Sequence, residues 1–360
     1  MEIGSHFEYD FSQECIKNNS LNWLPQRMVD YTFTFSGRSA IELAIINIID
    51  TKNIKRVYMP SYCCSSMLSV FKKYNIEMYF YDVNINESGL YYNIDENADI
   101  DLFFAMSYFG LENSLDSIIK KMTKKNIIVL EDITHRLLSN TAYSENSHYL
   151  IASLRKWFPI PTGGLLMNKY GHINNKPYKN SDGLVRDQIT AMKLKSQYLQ
   201  GKESINKDIF LSKFQKLNNF IKDIDYKYKI DNFSKKVLYS LDINNIKEQR
   251  KINAQVIYEH LSKFKLIEPL FKNVDLNKMT PLFVPIIMKK SEDRAKLIKN
   301  LIENKIYCPV HWPIPEEINL NDQNKEVYER EISLICDQRY SMKEIDKIIK
   351  TIGEFEKKHA

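Results

Sequence analysis

Apolar runs of four to seven residues alternate with amphipathic stretches through the first half of the chain. The runs are Arg56 to Met59, Glu77 to Val83, Asp101 to Met106, Ile127 to Leu130 and Tyr149 to Ser153, lengths that suit buried strands better than helices. Upstream of them, in Ile41 to Ile46, apolar residues recur with helical spacing. Strands alternating with helices predict an α/β architecture with a mostly parallel sheet covered on both faces. From about Ser181 the texture changes to longer amphipathic helices, including Met192 to Tyr198 and Ile243 to Lys263, and a strand returns at Leu282 to Ile287. We therefore expect a large domain with an N-terminal extension over residues 1–235 and a smaller α+β domain over residues 236–360.

Composition narrows the class. The chain has 360 residues, 44% hydrophobic and 27% charged, enough to bury a substantial core. No apolar run approaches a membrane span, and the start of the chain lacks a basic region followed by an apolar one. A cytoplasmic enzyme with no membrane partner is expected. Five cysteines, with Cys63 and Cys64 adjacent, fit reduced thiols better than a disulfide framework. No Cys/His cluster has metal-ligand spacing, so no metal is expected. The net charge of +6 accommodates anionic ligands, and no nucleic-acid-binding signature accompanies it.

The candidate chemistry centres on Lys156, which lies 24 residues after Asp132. A surface Lys beside Arg155 is the ordinary reading of such a residue. Its setting differs: Tyr149-Leu150-Ile151-Ala152 runs into it, while Trp157-Phe158, Pro159, Pro161 and Gly163-Gly164 follow before Leu165-Leu166-Met167. A strand, a rigid turn and a second strand would hold the amine in a cavity, where desolvation lowers its pKa and favours the imine-forming base. Asp132 ends the run Asn126 to Leu130 and could cap the next segment. In an open α/β sheet, however, ligands collect beyond the carboxyl ends of strands. A lysine amine that condenses with an aldehyde, together with an aspartate that keeps a pyridine nitrogen protonated, points to pyridoxal 5'-phosphate (PLP). His135 reads either as a cofactor contact or as a buried histidine with a satisfied backbone bond. Upstream, Ser36-Gly37-Arg38-Ser39-Ala40 opens a helical pattern, and its small residues suit either an ordinary Ser N-cap or a phosphate site.

In order, Ser36-Gly37-Arg38-Ser39-Ala40, Met59-Pro60-Ser61-Tyr62-Cys63-Cys64, Tyr108-Phe109-Gly110, Glu131-Asp132, Ser153 to Lys156 and Gly163-Gly164 resemble the DegT/DnrJ/StrS-type sugar aminotransferases. The resemblance covers about Phe33 to Ile352. It implies the type I PLP-dependent transferase fold, that of aspartate aminotransferase, and a homodimer with the active site at the interface. It also implies that Lys156 forms the Schiff base, that Asp132 pairs with the pyridinium nitrogen, and that Gly37, Arg38 and Ser39 hold the phosphate from the main chain with help from the Ser153 hydroxyl. Tyr108-Phe109-Gly110 matches the loop before a helix opening with Leu111-Glu112-Asn113. Tyr307-Cys308-Pro309-Val310-His311-Trp312 resembles the stretch that reaches toward substrate, which makes His311 a candidate substrate contact.

The sequence also departs from the family pattern. Where relatives place an aromatic residue over the cofactor ring, this chain has Cys64. Either that thiol makes the contact, or Tyr62 or Tyr108 stacks instead, with Tyr62 also a candidate substrate contact. Pro159 and Pro161 replace an acidic, Gly-rich turn, marking a divergent branch. The implied reaction moves an amino group from an amino-acid donor, glutamate, to a nucleotide-linked keto-sugar. A small phosphorylated or amino-acid-derived ketone, a non-catalytic PLP-binding protein and a plain structural α/β protein are the alternatives. The Arg38 side chain suits either a phosphate or a carboxylate. Arg186, Lys193 and Asn218 are possible substrate or cross-subunit contacts, although surface helix positions are the ordinary reading of all three.

Overall fold

The computed structural model describes residues 2–10, 21–111, 115–202 and 204–359. Glu112 and Asn113, expected to open a helix, lie outside them. The chain clusters into two compact units that interleave along the sequence, one built from residues 6–53 and 148–243, the other from residues 2–5, 54–147 and 244–360.

The first unit holds an antiparallel ribbon of β2 (Asp30–Thr34), β8 (Tyr149–Ser153) and β9 (Gly164–Asn168), with β9 in the middle. Thr34 and Ser153 both pair with Gly164. Helix α1 (Gly37–Ile49) packs on β8 and β9 through a face that includes Ala40, Ile41, Leu43, Ala44 and Ile48, all buried. Its start sits so close to β9 that a Cβ on Gly164 would lie 2.1 Å from the Ser36 carbonyl oxygen, so any larger residue would force strand and helix apart. Helices α4 (Arg186–Leu199) and α5 (Lys207–Asp223) pair through Ala191, Met192, Phe210 and Phe214. Helix α6 (Asn232–Tyr239) begins at Asp231, whose carboxylate accepts from the Ser234 amide at 2.8 Å, the N-cap arrangement favoured by Asp.

In the second unit the strands run in the order β7 (Ile128–Asp132), β6 (Leu102–Met106), β3 (Arg56–Pro60), β4 (Glu77–Asn86), β5 (Gly89–Asn93). The first four are parallel, and β5 returns antiparallel on β4. β6 is buried throughout, as a strand covered on both faces should be. Helices α2 (Ser65–Lys73) and α3 (Asp116–Lys124) pack against this group.

The same unit contains a separate antiparallel sheet of β10 (Ile267–Pro269), β11 (Val284–Met288) and β13 (Glu331–Leu334). Its core joins Val284, Ile286, Met288, Ile332 and Leu334 to apolar residues of α7 (Ile243–Leu261), α8 (Ser291–Glu303) and α10 (Met342–His359). Helix α9 (Asp322–Arg330) leads into β13, and β1 (Ile3–Gly4) pairs in parallel with β12 (Ile306–Tyr307). The predicted strands are all present, with ends moved by at most three residues and Tyr149–Ser153 unmoved. The expected helix at Met192 to Tyr198 is the core of the longer α4.

Candidate functional site

In the first unit, Lys156 closes a single 3-10 turn, Leu154–Lys156, at the carboxyl end of β8. The following segment is anchored from below. The Leu154 amide bonds Gly163 O at 3.0 Å, and the Gly163 amide bonds Phe35 O at 2.8 Å. The hydroxyls of Thr162 and Ser234 both bond the buried carboxylate of Asp231. Trp157 and Phe158 are fully buried, so the residue after the lysine is locked into the core while Lys156 itself is half-buried. Among the described residues Arg155 bonds only Pro161 O, at 3.4 Å, and burial pulls its guanidinium down to about 10.

The start of α1 meets this turn. A Cβ on Gly37 would lie 2.9 Å from the Ser153 Cβ, closer than real Cβ atoms come, so glycine permits the helix start to touch the strand end three residues before Lys156. Ser36 is the N-cap, and its hydroxyl accepts from the Ser39 amide at 3.2 Å and lies 3.0 Å from the Ser39 hydroxyl. The capping reading of Ser36 is therefore realised. The first-turn N–H groups of any helix lack intrahelical acceptors, and the dipole there favours an anion. The Arg38 guanidinium turns elsewhere: it donates to Lys222 O at 2.6 Å and Ile221 O at 3.3 Å, the last carbonyls of α5. Its side chain thus caps a helix C-terminus, neither the phosphate nor the carboxylate contact expected from the sequence. Arg186, Lys193 and Asn218 are exposed on helices, as surface positions would be.

In the second unit, the neighbouring parallel strands β3, β6 and β7 carry Tyr62, Tyr108 and Asp132 at their carboxyl ends. Asp132 pairs across from Met106 and is buried; one carboxylate oxygen accepts from the Thr134 amide at 2.8 Å. Its neighbour Glu131 is buried too, holding the Ser144 amide at 2.9 Å and the Ser147 hydroxyl at 2.6 Å, and burial pushes its carboxyl up to about 7. His135 is fully buried and its Nδ1 accepts from the Phe109 amide at 3.0 Å. Of the two readings of His135, the satisfied backbone bond is present. It places the ring proton on Nε2 in the neutral imidazole. Gly110, at φ +77°, lets the loop pass close to the Thr280 and His135 carbonyls.

Tyr62 and Tyr108 are wholly buried, and burial holds both hydroxyls far above the usual tyrosine range. The Tyr108 hydroxyl donates to Tyr62 O, and the Tyr62 hydroxyl donates to His311 O. Cys64 begins α2 half-buried, with Sγ 3.1 Å from the Ser66 hydroxyl. His311 is buried among Phe109, His135, Phe283 and Trp312. Sequence reasoning missed Glu331, Ser333 and Tyr328, which surround these residues, because β13 reads as an ordinary apolar strand with two polar positions. It also missed the Asp231, Thr162 and Ser234 cluster that fixes the segment after Lys156. No group of metal-ligating side chains occurs among the described residues.

No family model matches the sequence, and no curated protein matches it. Solved structures do. The chain is similar to Helicobacter pylori PseC, an aminotransferase involved in the biosynthesis of pseudoaminic acid, with TM-score 0.64 and 14% identity over 92% of this chain and 88% of that one. It is similar to Spr1654 from Streptococcus pneumoniae in its PLP form, described as a putative sugar aminotransferase, with TM-score 0.63, 14% identity and the same coverage. NtdA from Bacillus subtilis, with bound cofactor PMP, matches with TM-score 0.60 and 12% identity over 92% of this chain and 74% of that one. The chain thus has the mixed α/β fold of PLP-dependent aminotransferases, the type I class expected from the sequence, with a large, mostly parallel central sheet flanked by helices.

Proposed function

We propose that this protein is a PLP-dependent aminotransferase that moves an amino group from an amino-acid donor, glutamate, to a keto-sugar. The observation that carries the reading is the junction of Gly37 with Ser153. It sets a glycine-opened helix N-terminus against the strand end that leads into Lys156, in a fold shared with PLP- and PMP-bound aminotransferases. The residues present fit the cofactor. Gly37, Arg38 and Ser39 at the start of α1, with the Ser153 hydroxyl, would hold the phosphate. Asp132 would face the ring nitrogen and keep its proton, with the Thr134 amide fixing the carboxylate. Cys64, Tyr108 and His135 are the further cofactor contacts we propose, and Tyr62 and His311 the substrate contacts.

When bound, PLP supplies an aldehyde that takes up an amine and a ring that accepts electrons. Lys156, which would carry the cofactor, and Asp132 are the proposed catalytic residues, and the freed Lys156 amine would move a proton between the donor carbon and the aldehyde carbon of PLP as a positioned general base and acid. A half-buried lysine followed by a buried Trp157-Phe158 segment suits that task, since the backbone just after it is held in place. A nucleotide-linked acceptor, a role in surface polysaccharide or amino-sugar biosynthesis, a cytoplasmic homodimer and a domain boundary near residue 235 complete the proposal. The separate core of the β10-β11-β13 sheet supports the last of these. No helix among the described residues is long and apolar enough to cross a membrane.

The test is the absorption spectrum of the purified protein before and after PLP, and again after glutamate. A visible band that glutamate bleaches supports both the lysine chemistry and the donor. A band that glutamate leaves untouched rejects glutamate, and no band at all rejects the catalytic reading.

A further inference from the structure

Behind His311 lies a chain of buried polar groups that the proposed reaction does not use. Nδ1 of His311 is 3.0 Å from the Ser333 hydroxyl, and that hydroxyl donates to Glu331 Oε1 at 2.6 Å. Ser333 and Glu331 are fully buried, and His311 is 5% exposed. The imidazole ring lies beside the candidate site: His311 and His135 have ring centroids 5.6 Å apart, and His135 follows Asp132 by three residues. The Tyr62 hydroxyl fixes the His311 backbone by donating to its carbonyl.

A serine hydroxyl has one proton and points it one way at a time. With Glu331 charged, Ser333 donates to the carboxylate and accepts from Nδ1–H, so Nε2 of His311 carries the lone pair. With Glu331 protonated, the carboxyl donates to Ser333, Ser333 donates to Nδ1, and the imidazole proton sits on Nε2. The two states differ by one proton. A proton taken up at Nε2 is matched by transfer of the Nδ1 proton to Ser333 and of the Ser333 proton to Glu331, and the imidazole stays neutral throughout.

We infer that Glu331, Ser333 and His311 form a proton relay in which the proton released when an amine adds to the acceptor's keto carbon is taken up at Nε2 of His311 and stored on Glu331, to be returned when the keto oxygen leaves as water, with Ser333 and Glu331 as positioning residues. The substrate side of this inference rests on the aminotransferase reading. Burial pushes the Glu331 carboxyl up to about 8, opposed by Ser333, Arg294, the His311 amide and Tyr62, so both charge states are within reach near neutral pH. The titratable and charged groups facing it are Arg294 from α8, Tyr62 from the segment after β3, and Cys308 and His311 from the segment after β12. Burial holds the Tyr62 hydroxyl far above its usual range and the Cys308 thiol up at about 12, so neither titrates near Glu331.

The test follows the ring nitrogens of His311 by ¹⁵N NMR in histidine-labelled, PLP-loaded protein, assigned by their loss in His311→Gln, across a pH range bracketing about 8. The expected result is a proton on Nε2 at the low end and on Nδ1 at the high end. Ser333→Ala and Glu331→Gln are expected to abolish the response, and Ser333→Thr to keep it. Nitrogens that ignore pH in the wild type, or a response that survives in Ser333→Ala, would overturn the relay. In single-turnover assays Ser333→Ala should slow the acceptor half-reaction about tenfold, the loss of one well-placed hydrogen bond, and leave the glutamate half-reaction unchanged. Equal loss in both would overturn the substrate role. If the wild type aminates no keto acceptor, the functional reading fails, and the nitrogen signals still decide the relay.

Discussion

Gly37 and Ser153 touch so closely that a single methyl on the glycine would stand 2.9 Å from the serine Cβ. That contact ties the N-terminus of α1 to the end of β8. Gly37→Ala is expected to push the two apart by a few tenths of an ångström. It should weaken PLP binding about tenfold or more, because oriented amides lose strength steeply with misplacement. Titration of apo-protein with PLP, followed by absorbance, checks this, and an unchanged dissociation constant would remove the phosphate site from the start of α1.

Lys156→Ala should fold, since Lys156 is half-buried and the turn is held by Leu154, Gly163 and Phe35. It should show no visible band with PLP. A circular dichroism melt matched to the wild type, together with the missing absorbance, would separate lost chemistry from lost structure.

Asp132→Asn keeps an oxygen for the Thr134 amide and removes the charge. Turnover is expected to fall by about 100-fold or more, the scale of a lost positioned proton-transfer partner, with little change in melting temperature. If turnover remains within a few-fold of wild type, Asp132 is only a turn residue.

Arg38→Met should act on stability alone. The guanidinium caps the last carbonyls of α5, a contact worth about 1 kcal/mol. Urea unfolding should show that loss while PLP affinity stays put; a large fall in affinity would instead assign the side chain to the phosphate.

Glu131 makes stability depend on pH. Its carboxyl rises from 4.5 to about 7 on folding, driven by burial. A carboxyl raised in this way favours folding below pH 4.5, and that contribution drains away as pH climbs toward 7. Glu131→Gln still accepts from Ser144 and Ser147 and does not titrate. Relative to wild type, the variant should therefore gain stability across that window by a few kcal/mol. Parallel wild-type and variant stability curves from pH 4.5 to 7 would show that Glu131 does not titrate there.

The strands were legible because burial on both faces writes a continuous apolar run, as in Leu102-Phe103-Phe104-Ala105-Met106. Lys156 and Asp132 stood out as candidates because each is a charged residue at the end of such a run. The antiparallel pairing around Lys156 was not, since parallel and antiparallel strands share the same period. Nor were Glu331 and Ser333. Their alternation with Ile332 and Leu334 looks like a half-exposed strand, and only tertiary burial turns that polar face inward. The Arg38 side chain was ambiguous for a related reason: its partners are backbone carbonyls 183 and 184 residues away, which no side-chain pattern announces.

The interleaving of the two units bears on how the protein is born. Strand β2 pairs with β9, so β2 waits on the ribosome until residues around Gly164–Asn168 have emerged. Meanwhile residues 54–147, which belong to the other unit, are already outside and still lack residues 244–360. Neither unit can finish before most of the chain is synthesised, and contacts this distant in sequence are slow to form. During synthesis the nascent chain therefore carries unpaired strand edges for a long interval. Its yield in the cell should depend more on chaperone supply than that of a protein whose units follow one another in line.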